Sequence, residues 1–281
     1  SFFVTANYGA PGATVYKIDS AGDITLHQER DDTGYRRMGD VTVIHHTELQ
    51  GHGMIFIGSE QEPGLNLFSI KPGGRLRDQD RMMPVDYDWF YGVTAMDSVQ
   101  FGDRAFIVVA SAQTDTLTVT RVSVGYKMNF IYEAEDTLHT RFQAVQDIEI
   151  VTTDSGRVML FAAGADDGVT LFEMTYRGKL IYVDSIADGF DTTLKNVSSL
   201  DVHLDGEAAH VYAGSSAEHG VTQLIVDLSR SGEDIRGGAV VDVITGTGSD
   251  DVIWGMGMSD ELHGGAGDDR LIDGRGRDNL T

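Results

Sequence analysis

The chain has 281 residues and a net charge of −23, from 44 acidic against 21 basic residues. Such a surface repels polyanions, so we expect neither nucleic acid nor an anionic membrane as a partner. Hydrophobic residues make up 41%, enough for a sizeable core, whereas no apolar run is long enough for a membrane span and no cysteine is present for disulfides or thiolate metal sites.

A repeat with a step of 52 residues begins near the first residue. Its turn positions are Gly12, Gly64, Thr116, Gly168 and Gly220. The preceding apolar segment keeps the same step through Val4, Phe56, Val108, Leu160 and Tyr212. Further apolar series share the step, among them Val41, Val93, Val145 and Val197. One structural unit therefore recurs along the chain.

Each unit predicts about four short β-strands. Apolar residues alternate along the segments, as at Val169 and Leu171, and glycine or aspartate marks the joints. A four-stranded unit of this length, repeated radially, is typical of a β-propeller blade. A chain of β-sandwich modules or a linear β-solenoid are the alternatives, although sandwich modules usually need about 100 residues each. The first strand of each unit ends in small residues, so we expect it beside the propeller axis.

The repeats predict three segments in an all-β protein. Residues 1–230 form a propeller-like region of four full blades and a half blade, 231–236 a linker, and 237–281 a second repeat region. Four and a half blades do not obviously close a ring, and proteins normally avoid exposed strand edges. We therefore expect further blades outside this chain.

The second region consists of five nonapeptides from Gly237 to Thr281. Their sixth places are Asp242, Asp251, Asp260, Asp269 and Asp278. Their eighth places are Ile244, Ile253, Leu262, Leu271 and Leu280. Six residues that turn and three that form a short strand predict stacked turns with a thin aliphatic core. Aligned carbonyl and carboxylate oxygens suit Ca²⁺, and repulsion between stacked carboxylates predicts folding coupled to that ion.

These nonapeptides resemble the RTX repeats of secreted bacterial calcium-binding proteins. "GGAGDDRLI" fits the pattern at every defined place, and "DGRGRDNLT" departs only at its first residue. The resemblance implies a parallel β-roll with Ca²⁺ held between turns, with Asp251 paired with Asp269 and Asp260 with Asp278. It implies carbonyl ligands near Gly246, Gly248, Gly255, Gly257, Gly264, Gly265, Gly267, Gly274 and Gly276. It also implies type I secretion to the outside of the bacterial cell or its surface.

Catalytic signatures are weak in this sequence. Neither H-E-x-x-H nor G-x-S-x-G is present. The histidine cluster His45, His46 and His52 has poor ligand spacing, because adjacent strand residues point to opposite faces.

Three units have an acid at one equivalent place: Asp97, Glu149 and Asp201. The first unit has His45 at that place. Such a periodic acid usually stabilises each blade, although a ring of acids could hold an ion.

The sequence favours binding over catalysis. We expect a secreted RTX protein in which Ca²⁺ folds the C-terminal roll and the propeller region binds a surface glycan or protein ligand. The alternatives are a secreted hydrolase, lactonase-like or other, with an axial propeller site, and a structural spacer in a large surface protein. A deep axial pocket with converging polar groups would favour the enzyme.

Overall fold

The computed structural model describes residues 1–7, 10–31, 33, 38–83, 90–101, 104–229 and 234–281. Within these ranges every regular element is a β-strand, which confirms the all-β prediction. None of the described residues belongs to a helix with the length and apolar character needed to cross a membrane. Two compact units divide the chain, Ser1–Val226 and Asp227–Thr281. Of the predicted linker, residues 231–233 lie outside the described residues and 234–236 form a strand.

The described part of the first unit is built from consecutive short strands. They are β1 Phe2–Asn7, β2 Ala10–Ile18, β3 Ile24–Arg30, β4 Val41–Leu49, β5 His52–Ser59, β6 Leu65–Ile70, β7 Leu76–Met82, β8 Val93–Phe101, β9 Arg104–Ser111, β10 Thr116–Val122, β11 Met128–Glu135, β12 Asp147–Thr152, β13 Val158–Ala163, β14 Gly168–Met174, β15 Leu180–Ala187, β16 Val197–Asp205, β17 Ala208–Ser215 and β18 Val221–Asp227. Among them β4–β7, β8–β11 and β12–β15 form four-stranded sheets, and β1–β3 and β16–β18 form three-stranded sheets.

The 52-residue step sets these sheets, but the sheets from β4 onward begin at a different strand from the one expected. The hairpin from β4 to β5 turns at Gln50 and Gly51, whose φ angles of 50° and 75° suit a tight left-handed turn. That hairpin makes β4 the first strand of its sheet, so the strands ending in small residues are second strands. The first strands β4, β8, β12 and β16, here called the inner strands, contact one another in chain order.

The core lies between successive sheets and holds the inner strands in place. Strand β9 is buried along nearly its whole length. Its Ile107 and Val109 pack with Phe56 of the preceding sheet. Its Phe106 and Val108 pack with residues of the following sheet. The two-residue period of a strand therefore gives each sheet two apolar faces, one for each neighbour.

The second unit contains very short strands in its described residues. They are β19 Asp234–Arg236, β20 Val243–Thr245, β21 Val252–Trp254, β22 Glu261–His263, β23 Arg270–Ile272 and β24 Asn279–Leu280. They pair in parallel as β19–β21–β23 and β20–β22–β24, with partners 18 residues apart such as Ile253 and Leu271. The eighth-place residues Ile253 and Leu262 are fully buried, whereas Leu280 is 41% exposed. Each of the two small parallel sheets therefore buries an eighth-place residue.

Candidate functional site

The sixth-place aspartates of the second unit act as hydrogen-bond acceptors for the strand stack. Asp269 Oδ1 accepts the Asp251 backbone N–H at 2.9 Å, and Asp278 Oδ1 accepts that of Asp260 at 2.8 Å. Asp260 Oδ1 likewise accepts the Asp242 N–H at 2.9 Å. The residues paired in the sequence analysis are thus brought together. The contact joins a carboxylate to a backbone amide, so it stabilises the stack by itself.

The glycines assigned to the same site occupy the turns between these strands: Gly246, Gly248, Gly255, Gly257, Gly264, Gly265, Gly267, Gly274 and Gly276. Gly246 and Gly255 donate their N–H groups to the carbonyls of His263 and Ile272, at 2.8 Å each. A Cβ at Gly276, where φ is 152°, would overlap the Met258 carbonyl oxygen. Close stacking of turns therefore requires glycine at such positions without any ligand.

A calcium centre is not formed by the described side chains. Among them no group of three or more histidine, aspartate or glutamate residues is placed to hold a metal ion. Asp260 Oδ2 is a buried carboxylate oxygen with no hydrogen-bond partner in the described structure, but Ca²⁺ takes six to eight oxygens. The classification of the protein as calcium-binding is therefore wrong as far as groups of described side chains go, whereas Ca²⁺ as a cofactor stays a prediction. The assignment of the individual aspartates and glycines as ligands stays a prediction.

A cluster of carboxylates lies on the inner strands of the first unit, formed by Asp97, Asp147, Glu149 and Asp201. Asp97 Oδ2 accepts the Ile150 N–H at 2.7 Å, 53 residues away on the next inner strand. Asp147 Oδ2 accepts the Leu200 N–H at 2.8 Å in the same way. These two carboxylates therefore fasten β8 to β12 and β12 to β16, and fix the position of Glu149 between them.

Among the four carboxyl groups of the cluster, Glu149 has the largest shift in pKa. Burial raises its pKa most, and the negative charges of Asp97, Asp147 and Asp201 raise it further, to about 7. Burial likewise raises the pKa of Asp97 and of Asp147, partly offset by the amides that they accept. Near neutral pH Glu149 is therefore present as both acid and carboxylate. This is the property of a side chain that exchanges protons with a substrate.

A histidine and a serine meet on the neighbouring inner strands. His45 Nε2 on β4 lies 2.8 Å from Ser98 Oγ on β8. Burial, with a smaller contribution from the charge of His46, lowers the pKa of His45 to about 4, so its ring is neutral at pH 7. The three histidines of the sequence cluster do not converge, since His52 Nδ1 contacts Tyr126 Oη at 3.1 Å.

The periodic acids were found in the sequence, but Asp147 and Ser98 were missed. Neither belongs to a periodic series, because Ala95 and Ile150 occupy the equivalent places one unit away. One signal was available for Asp147. It precedes Glu149 by two residues in "QDIEIV", and residues two apart on a strand share a face.

A cavity of about 350 Å³ opens away from this cluster, against β6 and β7. Its lining residues include Asp78, Asp80 and Lys127. Asp80 is held by Lys127 Nζ at 3.4 Å and by the Met128 N–H at 2.9 Å, and Asp78 by Arg30 at 3.7 Å. Because these charges already join neighbouring sheets, the inner-strand cluster is the better candidate for chemistry.

Comparisons with known proteins give likeness in fold and none in sequence. No protein-family model matches the chain, and no curated protein matches it. A protein from Lactobacillus plantarum is similar with a TM-score of 0.54 and 16% identity, over 81% of this chain and 68% of that one. The periplasmic gluconolactonase PpgL of Pseudomonas aeruginosa is similar with a TM-score of 0.50 and 14% identity, over 79% and 67%. An α-L-arabinofuranosidase of Clostridium thermocellum has a TM-score of 0.46 and 10% identity, over 66% and 68%.

The comparisons overturn the resemblance to RTX proteins. No family model, RTX or other, matches the chain, and one of the similar structures is a gluconolactonase. The expected calcium-binding RTX scaffold for adhesion is therefore wrong. At these identities the likeness itself establishes only the all-β fold.

Proposed function

We propose that the protein is a hydrolase whose active site is the carboxylate cluster of the inner strands, with Glu149 as the proton-transfer group. The observation that carries this proposal is the convergence of three other carboxylates, from β8, β12 and β16, on a half-buried Glu149. The likeness in fold to a gluconolactonase supports it.

Hydrolysis needs a proton at the leaving oxygen and a base for the attacking water. Protonated Glu149 supplies the first and its carboxylate form the second. Asp97 and Asp147 accept backbone amides and so hold the strands, and their negative charges contribute to the raised pKa of Glu149. A negative field repels anionic substrates, and the net charge of −23 adds to that repulsion.

The substrate class is a neutral, hydroxyl-rich small molecule with a hydrolysable ester or acetal bond. Sugar lactones and glycosides both fit this description. A surface glycan, one of the partners expected from the sequence, is one source of such molecules. We retain a location outside the cell as part of this proposal.

We also propose the finer architecture that the sequence suggested. The antiparallel sheets are successive blades about a common axis, because their inner strands contact one another in chain order. The two parallel sheets of the second unit are the walls of a β-roll, because their partners are separated by two nonapeptides.

Hydrolysis of glucono-1,5-lactone and of 4-nitrophenyl glycosides by wild type and Glu149→Gln tests the function. We expect turnover of at least one substrate class, and a fall of about 100-fold or more in kcat for the variant. Glu133→Gln is the matched control, because burial also raises the pKa of Glu133, which lies on the outer strand β11. A wild type inactive on both classes, or a Glu149→Gln variant of normal activity, would overturn the proposal.

A further inference from the structure

Successive residues of β8 reach the two inner strands on either side. Asp97 accepts an amide of β12, whereas Ser98 lies 2.8 Å from His45 Nε2 on β4. Adjacent strand residues point to opposite sides, which explains the division. Strand β8 therefore contributes Asp97 to the acid cluster and the next residue, Ser98, to the pair with His45.

The Ser98–His45 pair has the geometry of a nucleophile and its base. The 2.8 Å distance falls within the usual range for such a pair, and both side chains are half-buried, so a small molecule can reach them. The ring of His45 also hydrogen-bonds to the Met96 backbone carbonyl. With a proton on Nδ1 the neutral ring leaves Nε2 free to accept the hydroxyl proton.

We infer that Ser98 is a nucleophile activated by His45, and that the substrate is an acyl compound, an ester or a lactone, and not a glycoside. This inference rests on the proposed hydrolase function and names its substrate class. Serine paired with histidine attacks acyl carbon, whereas hydrolysis at an acetal carbon uses a pair of carboxyl groups. Ser98 lies inside a strand, in "MDSVQ", and not in a nucleophile elbow, so motif searches pass over it.

The reaction balances with groups of this chain. Ser98 Oγ forms a bond to the acyl carbon while its proton passes to His45 Nε2. The substrate lies across β8. The bond from that carbon to the leaving oxygen breaks, and Glu149 gives its proton to this oxygen. Water then attacks the acyl carbon and gives its proton to the Glu149 carboxylate. The bond to Oγ breaks, and Oγ recovers its proton from His45.

Covalent labelling by an alkyl fluorophosphonate tests the nucleophile in the wild-type protein, so no variant has to fold. We expect one equivalent of label, located by peptide mass spectrometry on Ser98. Labelling should be lost in Ser98→Ala and reduced at least tenfold in His45→Gln. Ser199→Ala, a serine of the inner strand β16, should label as wild type does. Absence of label, or label on another residue, would overturn the inference.

The variant Glu149→Gln separates acylation of Ser98 from the later attack by water. With 4-nitrophenyl acetate the leaving group needs no acid, so acylation should proceed while attack by water stalls. We expect a burst of one equivalent of 4-nitrophenolate and an added acetyl group on the peptide that contains Ser98. A slow linear release without an acetylated peptide would contradict the covalent route.

The two proposals fail in different ways. Glycoside hydrolysis that depends on Glu149, with no label on Ser98 and no loss in Ser98→Ala, would overturn the nucleophile and leave the hydrolase proposal standing. Inactivity of the wild type on every ester, lactone and glycoside would overturn the hydrolase proposal itself.

Discussion

The two units of this chain use recurring carboxylates in different ways. In Asp227–Thr281, Asp260, Asp269 and Asp278 accept the amides of residues 18 positions earlier, so each of them joins alternate turns. In Ser1–Val226, Asp97 and Asp147 join inner strands in a comparable way. In the described structure no backbone amide is donated to Glu149, which instead lies among like charges. Asp97 and Asp147 are therefore mainly structural, and Glu149 is the better candidate for chemistry.

The largest expected effect concerns the core of the first unit, Ser1–Val226. Phe106→Ala removes a fully buried ring packed between two sheets, and should lower the free energy of unfolding by about 3–5 kcal/mol. Phe130→Ala, at a ring that is 37% exposed, should cost much less. Urea unfolding of both variants measures the difference. Equal losses would show that the sheets are not packed as described.

Asp269→Ala tests whether the second unit depends on its hydrogen bonds or on an ion. The change leaves the buried Asp251 N–H without its acceptor, which costs about 1–3 kcal/mol. Thermal unfolding in excess chelator should already show this loss. Asp268→Ala, at an exposed neighbour, is the control. A variant as stable as wild type in chelator, and weaker only with Ca²⁺, would restore the ligand assignment.

Glu149→Gln should stabilise the first unit in alkaline solution. The folded-state pKa of about 7 exceeds the ordinary 4.5, so the folded protein binds the proton more tightly than the unfolded chain. Wild type therefore loses stability as pH rises from 4.5 through 7. Since Glu149 is half exposed, the gain of the variant at pH 8 should be only about 1 kcal/mol after screening. A stability difference that does not change between pH 4.5 and pH 8 would show that the pKa is not raised.

Asp97→Asn should produce the smallest effect, a shift in pH dependence. Removal of one neighbouring negative charge lowers the pKa of Glu149. In a plot of hydrolysis rate against pH, the limb due to Glu149 should therefore move to lower pH. The asparagine carbonyl can still accept the Ile150 amide, which preserves the strand contact. Asp201→Asn, at an exposed member of the cluster, should shift the limb less. An unmoved limb in Asp97→Asn would remove Asp97 from the electrostatics of the site.

The sequence predicted the strands and their 52-residue step, because both follow from local periodicity. It misplaced the start of the sheets from β4 onward, although the turn at Gln50 and Gly51 contained that information. The nonapeptides correctly suggested short strands with buried Ile253 and Leu262, but their composition suggested a calcium family that the comparisons reject. Glycine and aspartate are also what close turns require, so composition could not separate stacking from ligation.

The candidate site was predictable only in part. The shared position of Asp97, Glu149 and Asp201 appeared in the sequence, yet a repeat alone does not say which acid lacks an amide partner. That difference arises between strands 53 residues apart. The contact of Ser98 with His45 arises in the same way, from the lateral register of neighbouring inner strands.

The most direct test is the pH dependence of 4-nitrophenyl acetate hydrolysis by wild type and Glu149→Gln. The 4-nitrophenolate group leaves without an acid, so turnover needs only the carboxylate form of Glu149. The wild-type rate should therefore rise with pH through a midpoint near 7. Glu149→Gln should turn over slowly and lack that limb. The same limb and the same turnover in both proteins would contradict the assignment of Glu149 as the proton-transfer group.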